Sequence, residues 1–383
     1  MISPFIVNAD GVYDKNLFLD RYPVGQVNRA LVAWDAADEY LINYVHEQNL
    51  ADSHHNLLIF NDSFGAITAN FTQANVTTVS DSWISNQGLQ YNIEQNGLSL
   101  ENISQLSSLD NLPENITVVL YKIPKSKSLM IDQLLAIKTK YNHKLIFVAA
   151  DKAKDIHSST LKLFEKYLGT TKTSLAVKKA RLVFSQLDNT QIFASPFPTL
   201  WPLENTPFSI SNHSGVYARE KLDIGARHFM KNLPEVNAGT KVIDLGCGNG
   251  VIGLTVLAQQ PEALITFVDE SYMAVASAMT NISQNLPEQL AQCQFVINDC
   301  LADVEPNSVD LILCNPPFHQ QNATTDHIAW QMFRDSHRAL KNGGELRIIG
   351  NRQLGYHIKL KRLFGNEKLI ASNDKFVTLS ARK

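Results

Sequence analysis

The chain is poor in cysteine and has no long apolar run. Its 383 residues include four cysteines, all in the second half and none in C-x-x-C spacing. This usage argues against a disulfide framework or a thiolate metal site and favours buried thiols in a reducing compartment. No stretch approaches the roughly twenty apolar residues that a membrane span needs, and residues 1–12 lack the pattern of a secretion signal. We therefore expect a soluble, cytoplasmic protein without a bound metal.

A net positive charge is also absent, because the formal charge is −3. The average hides a basic segment at residues 122–181, which holds 14 Lys and Arg against 4 Asp and Glu. Such a segment suits contact with nucleic-acid phosphates, although most lysine-rich runs are solvated helix faces. Lys122, Lys125 and Lys127 are the predicted nucleic-acid contacts, with a solvated face as the alternative.

A glycine-rich turn follows an apolar strand in the second half. Residues 241–253 read KVIDLGCGNGVIG. Glycines at such a turn let the backbone approach a ligand and direct the N–H groups of a helix N-terminus towards it. No Lys-Ser/Thr pair follows, and the spacing differs from the dinucleotide fingerprint. Asp244, Gly246, Gly248 and Gly250 are therefore predicted to contact a nucleoside cofactor.

Two further apolar segments end in polar residues. Residues 264–268 precede Asp269, and residues 295–297 precede Asn298 and Asp299. An acid at the end of the second strand of a βαβ unit is placed to accept hydrogen bonds from ribose hydroxyls. A side-chain oxygen after the third segment could accept a hydrogen bond from an adenine amino group. We expect Asp269 and Asp299 to bind the nucleoside.

The tetrapeptide Asn315, Pro316, Pro317 and Phe318 directly follows the apolar run 309–314. An Asn oxygen and the next carbonyl can accept hydrogen bonds from both N–H groups of a planar amine, and two prolines fix the backbone there. Phe318 offers a face on which a base can stack. Alone, the tetrapeptide could equally be a strand that ends in a turn. Together with the glycine turn and the two acids, it favours a methyl-donating nucleoside cofactor over a nicotinamide.

The chain resembles the ribosomal RNA guanine-N2 methyltransferases of the RlmG and RsmC type, and the resemblance extends over essentially all of it. The segments that carry it are 215–217, 222–225, 244–250, 315–321 and 350–352, of which the last two are more similar to the large-subunit branch. The resemblance implies S-adenosyl-L-methionine as the cofactor. It also implies that Tyr217, Asp223 and Gly225 line the methionine end of the cofactor and that Asn315 contacts both cofactor and amine.

His319 follows the tetrapeptide directly. A methylated, cationic amine loses its proton readily, so the reaction requires no strong base. We therefore predict RNA contact or a structural role for His319 rather than base catalysis.

The first half repeats the second in degraded form. The interpreted pairs are Asn61 with Asp244, Ser63 with Gly246, Gly65 with Gly248, Ile67 with Gly250 and Lys122 with Asn315. Such spacing indicates a duplicated α/β unit whose first copy has lost its site. Residues 193–207 carry four prolines and indicate a connection between domains. The fold prediction is two tandem Rossmann-like methyltransferase-type domains: a degenerate, RNA-binding one at 1–192, a linker at 193–212 and a catalytic one at 213–383.

The predicted function is transfer of a methyl group to the N2 amine of a guanine in 23S (large-subunit) ribosomal RNA, by a monomer acting on an unpaired or flipped-out base. Within enzymes, the alternatives are the same reaction on 16S (small-subunit) RNA, adenine-N6 methylation and methylation of a glutamine amide. A ribosome-assembly factor with a vestigial site is the alternative from another class. The intact Asp244, Asp269 and Asn315 argue against a vestigial site, since the first copy shows what loss looks like.

Overall fold

The computed structural model describes residues 1–9, 13–25, 32–141, 144–317 and 323–383. It separates into two compact units, Met1–Pro196 and Phe197–Lys383. In the described part of the chain, no helix has both the length and the apolar character needed to cross a bilayer.

The first unit contains nine strands and four helices among its described residues. The strands are β1 (Ile2–Ala9), β2 (Tyr13–Phe18), β3 (Asn56–Phe60), β4 (Asn75–Ser80), β5 (Ile103–Ser107), β6 (Val118–Lys122), β7 (Ile146–Lys152), β8 (Thr171–Thr173) and β9 (Ala180–Ser185). The helices are α1 (Ala36–Glu47), α2 (Trp83–Gln95), α3 (Lys127–Lys140) and α4 (Ser158–Tyr167).

The second unit contains nine strands and five helices among its described residues. The strands are β10 (Thr199–Pro202), β11 (Ser209–Asn212), β12 (Lys241–Leu245), β13 (Leu264–Asp269), β14 (Cys293–Ile297), β15 (Val309–Cys314), β16 (Leu340–Asn351), β17 (Lys368–Ser372) and β18 (Phe376–Arg382). The helices are α5 (Ile224–Met230), α6 (Val251–Gln259), α7 (Tyr272–Asn285), α8 (Ala323–Ala339) and α9 (Tyr356–Phe364).

Each unit is built around a seven-stranded sheet, and the two sheets have the same strand order. The orders are β5-β4-β3-β6-β7-β9-β8 and β14-β13-β12-β15-β16-β18-β17. The first five strands of each order pair in parallel and the last two pair antiparallel. Consecutive residues of β12, such as Val242 and Ile243, pack into separate apolar clusters on the two faces of the sheet. This is the tandem α/β architecture predicted from the sequence.

Side-chain contacts at α2 of the first unit and α7 of the second repeat as well. At each helix, two asparagines bond both the N–H and the carbonyl of residues at the end of a preceding hairpin, at 2.7 to 3.0 Å. The bonded pairs are Asn92 with Asp20 and Asn96 with Phe18 in the first unit, and Asn281 with Ser211 and Asn285 with Ser209 in the second. Paired side-chain contacts of this kind support a duplicated unit more strongly than spacing alone.

The strand register shows that our alignment of the two glycine turns was wrong by two residues. Phe60 lies opposite Val79 and Tyr121, whereas Leu245 lies opposite Val268 and Cys314. Val79 takes the place of Val268 by the same offset that pairs Asn92 with Asn281. Because Phe60 lies opposite Val79 as Leu245 lies opposite Val268, Phe60 corresponds to Leu245 and, by the same offset, Gly65 corresponds to Gly250. The pairs that follow are Ile59 with Asp244, Asn61 with Gly246, Gly65 with Gly250 and, from β6 and β15, Lys122 with Asn315.

Local geometry agrees with the revised alignment. Asn61 has a positive φ of 61°, close to the 69° of Gly246. A Cβ added to Gly65 would lie 2.9 Å from the Cα of Leu89, and one added to Gly250 would lie 2.8 Å from the Cβ of Ala278. Both glycines therefore allow the same close packing on the following helix. The sequence alignment missed this register because it matched glycines rather than strand ends.

The segment predicted as a linker at 193–212 contains ordered structure. β10 and β11 pair as a hairpin, and Trp201, Leu203 and Ile210 are buried with the core of the second unit. Prolines and the absence of helical periodicity do not exclude a short hairpin. The boundary between the compact units lies between Pro196 and Phe197.

Candidate active site

The glycine turn joins β12 to α6 at the carboxyl edge of the second sheet. Gly246, Gly248 and Gly250 all have positive φ, at 69°, 53° and 76°. The N–H groups of Gly246 and Cys247 both donate to the carbonyl of Val268 on the neighbouring strand, at 2.8 and 3.0 Å. Left-handed backbone strongly favours glycine, so the residue types explain how the turn folds back over the sheet edge.

Gly248 differs from its two neighbours in what surrounds it. A Cβ at Gly250 would collide with Ala278, and one at Gly246 would lie 3.2 Å from Met332, but one at Gly248 would meet no atom within 4 Å. The backbone at Gly248 therefore borders open space. A nucleoside cofactor approaching this turn fits that opening, and the positive φ explains why a side chain is absent.

We expect Gly248→Ala to weaken S-adenosylmethionine binding by about 10- to 100-fold, as overpacking by one methyl group costs roughly 1–3 kcal/mol. Gly343→Ala is the matched control, because Gly343 also has a positive φ and open space at its Cβ but lies near the start of β16. Both variants carry similar backbone strain. Calorimetric titration of the two full-length variants should separate strain from contact, and equal affinities would remove the predicted cofactor contact at Gly248.

Asp244 is buried near the end of β12. Its Oδ2 accepts a hydrogen bond from the N–H of Gly253 at 2.9 Å, which holds the first turn of α6 against the strand. Burial raises the pKa of Asp244 to about 7; the bond from Gly253 opposes this shift, and the nearby Asp269 adds to it. Asp244 therefore supports the turn from beneath and carries a carboxyl group that is easily protonated.

The raised pKa of Asp244 predicts a loss of stability with rising pH. The folded state keeps its proton between pH 3.8 and about 7 while the unfolded chain has lost it, so stability decreases across that window. The expected loss is on the order of 4 kcal/mol. Asp244→Asn keeps an acceptor for Gly253 and should remove this slope.

Thermal unfolding of wild type and variants between pH 4 and 8 measures the effect. Asp310→Asn serves as a control of opposite sign: Lys341 and the N–H of Lys241 hold the pKa of Asp310 below its usual value despite partial burial. That variant should retain the alkaline loss. A wild-type slope that persists in Asp244→Asn would contradict the assignment.

Asp269 ends β13 one strand away. Its Oδ2 accepts from the N–H of Gly248 at 2.9 Å and its Oδ1 from the N–H of Ser271 at 3.1 Å. Burial raises the pKa of Asp269, and these backbone bonds oppose the shift. The N–H of Glu270 bonds this carboxylate as well, so three of its roughly four acceptor positions are used and acceptor capacity remains for a ribose hydroxyl. The position of Asp269 and this remaining capacity fit the predicted ribose contact.

Asp299 follows β14 and is also buried. Its N–H donates to Oδ1 of Asn298 at 2.8 Å, and its Oδ2 accepts from Nε2 of Gln331 on α8 at 2.9 Å. The sequence identified Asp299 but not Gln331, since nothing in the spacing of α8 marks a glutamine that lies 32 residues away in the chain. The bond ties Asp299 to the helix that follows the Asn-Pro-Pro segment.

Asn315 follows β15, beside β12, at the same sheet edge. Its Oδ1 is buried and has no hydrogen-bond partner in the described part of the chain. Its carbonyl lies 3.9 Å from the position that a Cβ on Gly246 would take, so the segment adjoins the glycine turn. Pro316 is buried and Pro317 half-buried. Phe318 and His319 lie outside the described residues.

The predicted methionine-end residues lie before and within α5. Asp223 caps this helix, with Oδ2 accepting from the N–H of Ala226 at 2.9 Å, and the hydroxyl of Tyr217 donates to Oδ1 at 3.2 Å. Partial burial and Asp223 raise the pKa of Tyr217. The Tyr217 side chain is 63% exposed, whereas Gly225 is buried. Tyr217 is thus not a simple packing residue.

An asparagine network braces the glycine turn. Asn281 on α7 donates to the carbonyl of Asn249 at 2.9 Å, and Nδ2 of Asn249 donates to Oδ1 of Asn212 on β11 at 2.9 Å. This network fixes the turn through contacts between residues far apart in the chain, which sequence spacing does not reveal.

The geometry of Lys122 argues against the predicted RNA contact. Its Nζ lies 2.9 Å from Asp35 and 2.7 Å from Asp38, and the side chain is 14% exposed. Burial disfavours the ammonium, but Asp38 and Asp35 outweigh that effect and raise the pKa of Lys122. A phosphate would have to displace a buried ion pair to reach it. Lys125 and Lys127 are exposed, and Nζ of Lys127 donates to Ser159 at 2.9 Å.

Comparison with known proteins agrees with this geometry. Residues 11–189 match the RLMG N-terminal domain, and residues 207–380 match the methyltransferase small domain. The ribosomal RNA large subunit methyltransferase G of Colwellia psychrerythraea is 65% identical, with each chain covered to 100%. The protein of the same name from Pseudoalteromonas translucida is 53% identical, with each chain covered to 97%.

A solved structure shares the whole architecture. The 16S rRNA N2 G1207 methyltransferase RsmC of T. thermophilus, described in complex with AdoMet and guanosine, has a TM-score of 0.75 and 18% identity, covering 99% of this chain and 97% of its own. At that identity the likeness concerns the fold.

The sheet order, the glycine turn and the family matches define an S-adenosylmethionine-dependent methyltransferase. Within this class, the chain belongs to the family of the ribosomal RNA large subunit methyltransferases G.

Proposed function

We propose that this chain transfers a methyl group from S-adenosylmethionine to the exocyclic N2 amine of a guanine in large-subunit ribosomal RNA. The observation that carries the proposal is the buried Oδ1 of Asn315 beside the glycine turn, for which the described residues provide no hydrogen-bond partner. A buried acceptor without a donor costs roughly 1–3 kcal/mol, so its presence calls for a ligand group that donates. An amine hydrogen of the acceptor base is such a group.

In this proposal the Oδ1 of Asn315 and the carbonyl of Pro316 each accept a hydrogen bond from one N–H of the base amine. The lone pair of that amine is delocalised into the ring, and hydrogen bonding to both hydrogens directs the nitrogen towards the cofactor. S-adenosylmethionine, when bound, supplies the methyl group on a positively charged sulfur. The contribution of the protein is therefore position rather than strong base catalysis. Phe318 is proposed to stack on the base, and Pro317 fixes the turn.

The cofactor contacts that we propose follow the sheet edge. Gly248 borders the open space beside the turn, Gly246 and Gly250 allow the close packing that shapes it, and Asp244 supports the turn from beneath. Asp269 is proposed to hold the ribose and Asp299 the adenine amino group. Tyr217, Asp223 and Gly225 are proposed to line the methionine end, with Asn315 reaching both ligands.

The large-subunit assignment rests on the relatives. Proteins named for the large subunit match this chain at 65% and 53% identity over nearly full length, against 18% for the small-subunit enzyme. We propose the unit 1–196 as a degenerate domain that holds RNA through Lys125 and Lys127, and the unit 197–383, which includes the hairpin at 199–212, as the catalytic domain. His319 is proposed to contact RNA. We also propose that the protein acts in the cytoplasm as a monomer without a bound metal.

Transfer of radiolabelled methyl groups to purified large-subunit RNA, small-subunit RNA and whole subunits tests the function. Nucleoside analysis should recover the label as N2-methylguanosine from large-subunit RNA. Label only in small-subunit RNA would move the chain to the other branch, and label in no RNA would remove the proposed substrate class.

A further inference from the structure

Charge is distributed unevenly within the second unit. Residues 197–326 hold 5 Lys and Arg against 14 Asp and Glu, whereas residues 327–383 hold 12 against 4. This second basic segment is separate from the one at residues 122–181. A net charge of +8 over the last 57 residues is comparable to, though slightly less dense than, the +10 over residues 122–181 that suggested RNA contact in the first unit.

Several of these twelve cations are engaged within the protein. Arg334, Lys341, Arg347 and Arg382 form ion pairs, and Arg338 donates to backbone carbonyls of the segment that follows Asp299. Arg352, Lys361, Arg362 and Lys375 are exposed and form no ion pair with an acid among the described residues. We refer to these four residues as the cationic surface.

Two members lie at the edge of the sheet where Asn315 lies. Asn351, the last residue of β16, is opposite Phe376, so Arg352 and Lys375 are neighbours beyond the strand ends. The N–H of Arg352 donates to the carbonyl of Lys375 at 3.0 Å, and its guanidinium donates to the carbonyl of Asn373 at 3.1 Å. Cys314 is opposite Ile348, so Arg352 lies about 10 Å further along the strand direction than Asn315.

The other two members lie on α9, which begins directly after this turn. Tyr356 and Leu360 face the core, whereas Lys361 and Arg362 are exposed beside Ile358, whose side chain is 65% exposed. The guanidinium of Arg362 stacks over the ring of Trp330 at 5.6 Å. Trp330 is on α8, the helix that follows the Asn-Pro-Pro segment in the chain, so this cation is held against that helix.

We infer that the cationic surface binds the phosphates of the RNA strand that flanks the target nucleotide. The inference rests on the proposed function and names a second RNA-binding surface, within the catalytic unit itself. A base that leaves its stack to reach Asn315 brings its flanking phosphates along the same sheet edge. Arg352 and Lys375, exposed at that edge, and Lys361 and Arg362, exposed in the last turn of the adjoining α9, neutralise them, and phosphate contacts fix position without reading sequence. The acid nearest in sequence to the cationic surface is Asp374, which directly precedes Lys375 and is also exposed.

Two double variants of the full-length protein test the surface, Arg352→Gln/Lys375→Gln and Lys361→Gln/Arg362→Gln. Each removes two charges. Lys231→Gln/Lys241→Gln is the matched control, since it removes two exposed lysines from the same unit and Lys241 begins β12 at the opposite edge of the sheet. A fourth variant, Lys361→Arg/Arg362→Lys, keeps the charge.

The readout is affinity for protein-free large-subunit RNA as a function of salt concentration. Loss of two phosphate contacts should reduce the logarithmic salt slope by about 1.4 to 1.8 and weaken binding about 10- to 100-fold at 0.1 M salt. The control and the charge-preserving variant should keep the wild-type slope. Affinity for S-adenosylmethionine, which the surface does not contact, verifies that each variant is folded.

The outcomes separate this inference from the proposed function. Reduced slopes in both double variants, with unchanged cofactor affinity, support the surface. Wild-type slopes in folded double variants, while the unaltered protein still methylates RNA, overturn the surface alone. Absence of methyl transfer from the unaltered protein to any RNA would remove the proposed function and this inference with it.

Discussion

Replacement of Asn315 by alanine is expected to lower kcat by about 100- to 1000-fold, the loss seen when one preorganised hydrogen-bonding group of an active site is removed. Affinity for S-adenosylmethionine should change by less than about threefold, because the glycine turn, Asp269 and Asp299 remain. The physical reason is the buried Oδ1 of Asn315, which has no partner in the described part of the chain. Single-turnover methyl transfer and cofactor titration measure the two quantities separately.

Two substitutions at this position distinguish an acceptor from a packing residue. Asn315→Asp keeps an oxygen at the same place and should retain part of the activity, whereas Asn315→Leu preserves volume without an acceptor and should behave like alanine. Asn307→Ala is the control, because Asn307 is exposed and precedes β15 rather than following it. Comparable kcat in Asn315→Leu and wild type would eliminate the proposed role.

Features determined by local chain geometry were predictable. The glycine turn, Asp269, Asp299 and Asn315 each follow an apolar segment, and parallel strands bring their carboxyl ends to one edge. Left-handed backbone at the glycines also follows from residue type. These parts of the site need only strand periodicity and chain order, which a sequence displays directly.

Features that depend on distant contacts were not predictable. Lys122 looked like the start of a basic face, but its ion-pair partner Asp35 lies 87 residues earlier. The offset between the two glycine turns could be found only from the strand register. The hairpin at 199–212 could be found only from its strand pairing and from the burial of Trp201 and Ile210. The cationic surface was hidden because 14 acids precede it in the same unit.

The position of Lys122 shows how the first unit lost its site. Ile59 occupies the position of Asp244, and Asn61 occupies that of Gly246 with its side chain bonded to Gln133 and to the carbonyl of Lys122. Lys122 takes the place of Asn315. Its ammonium pairs with Asp35, which precedes α1, and with Asp38 on α1. Polar groups that could have met ligands therefore satisfy one another, so the former site has become part of the core.

We expect Lys122→Met to destabilise the protein by about 3–5 kcal/mol, since removing one partner of a buried ion pair leaves uncompensated charge. Burial raises the pKa of Asp38 to about 6 even with Lys122 opposing it, so that carboxyl prefers its proton more strongly once the lysine is gone. A raised folded pKa costs stability as pH rises above 3.8. The deficit of Lys122→Met should therefore be larger at pH 8 than at pH 5.

Adding Asp38→Asn to Lys122→Met should recover much of the loss, because it removes the more buried of the two carboxylates that pair with Lys122 and leaves only the partly exposed Asp35. Urea unfolding at both pH values measures the stabilities, and the salt dependence of RNA binding provides an independent readout. Lys122→Met should keep the wild-type salt slope, whereas Lys125→Gln/Lys127→Gln should reduce it, since only the latter pair is exposed. A stable Lys122→Met variant with a reduced slope would mean that the lysine leaves its ion pair to bind phosphate, and that the first unit retains a ligand site where its core now lies.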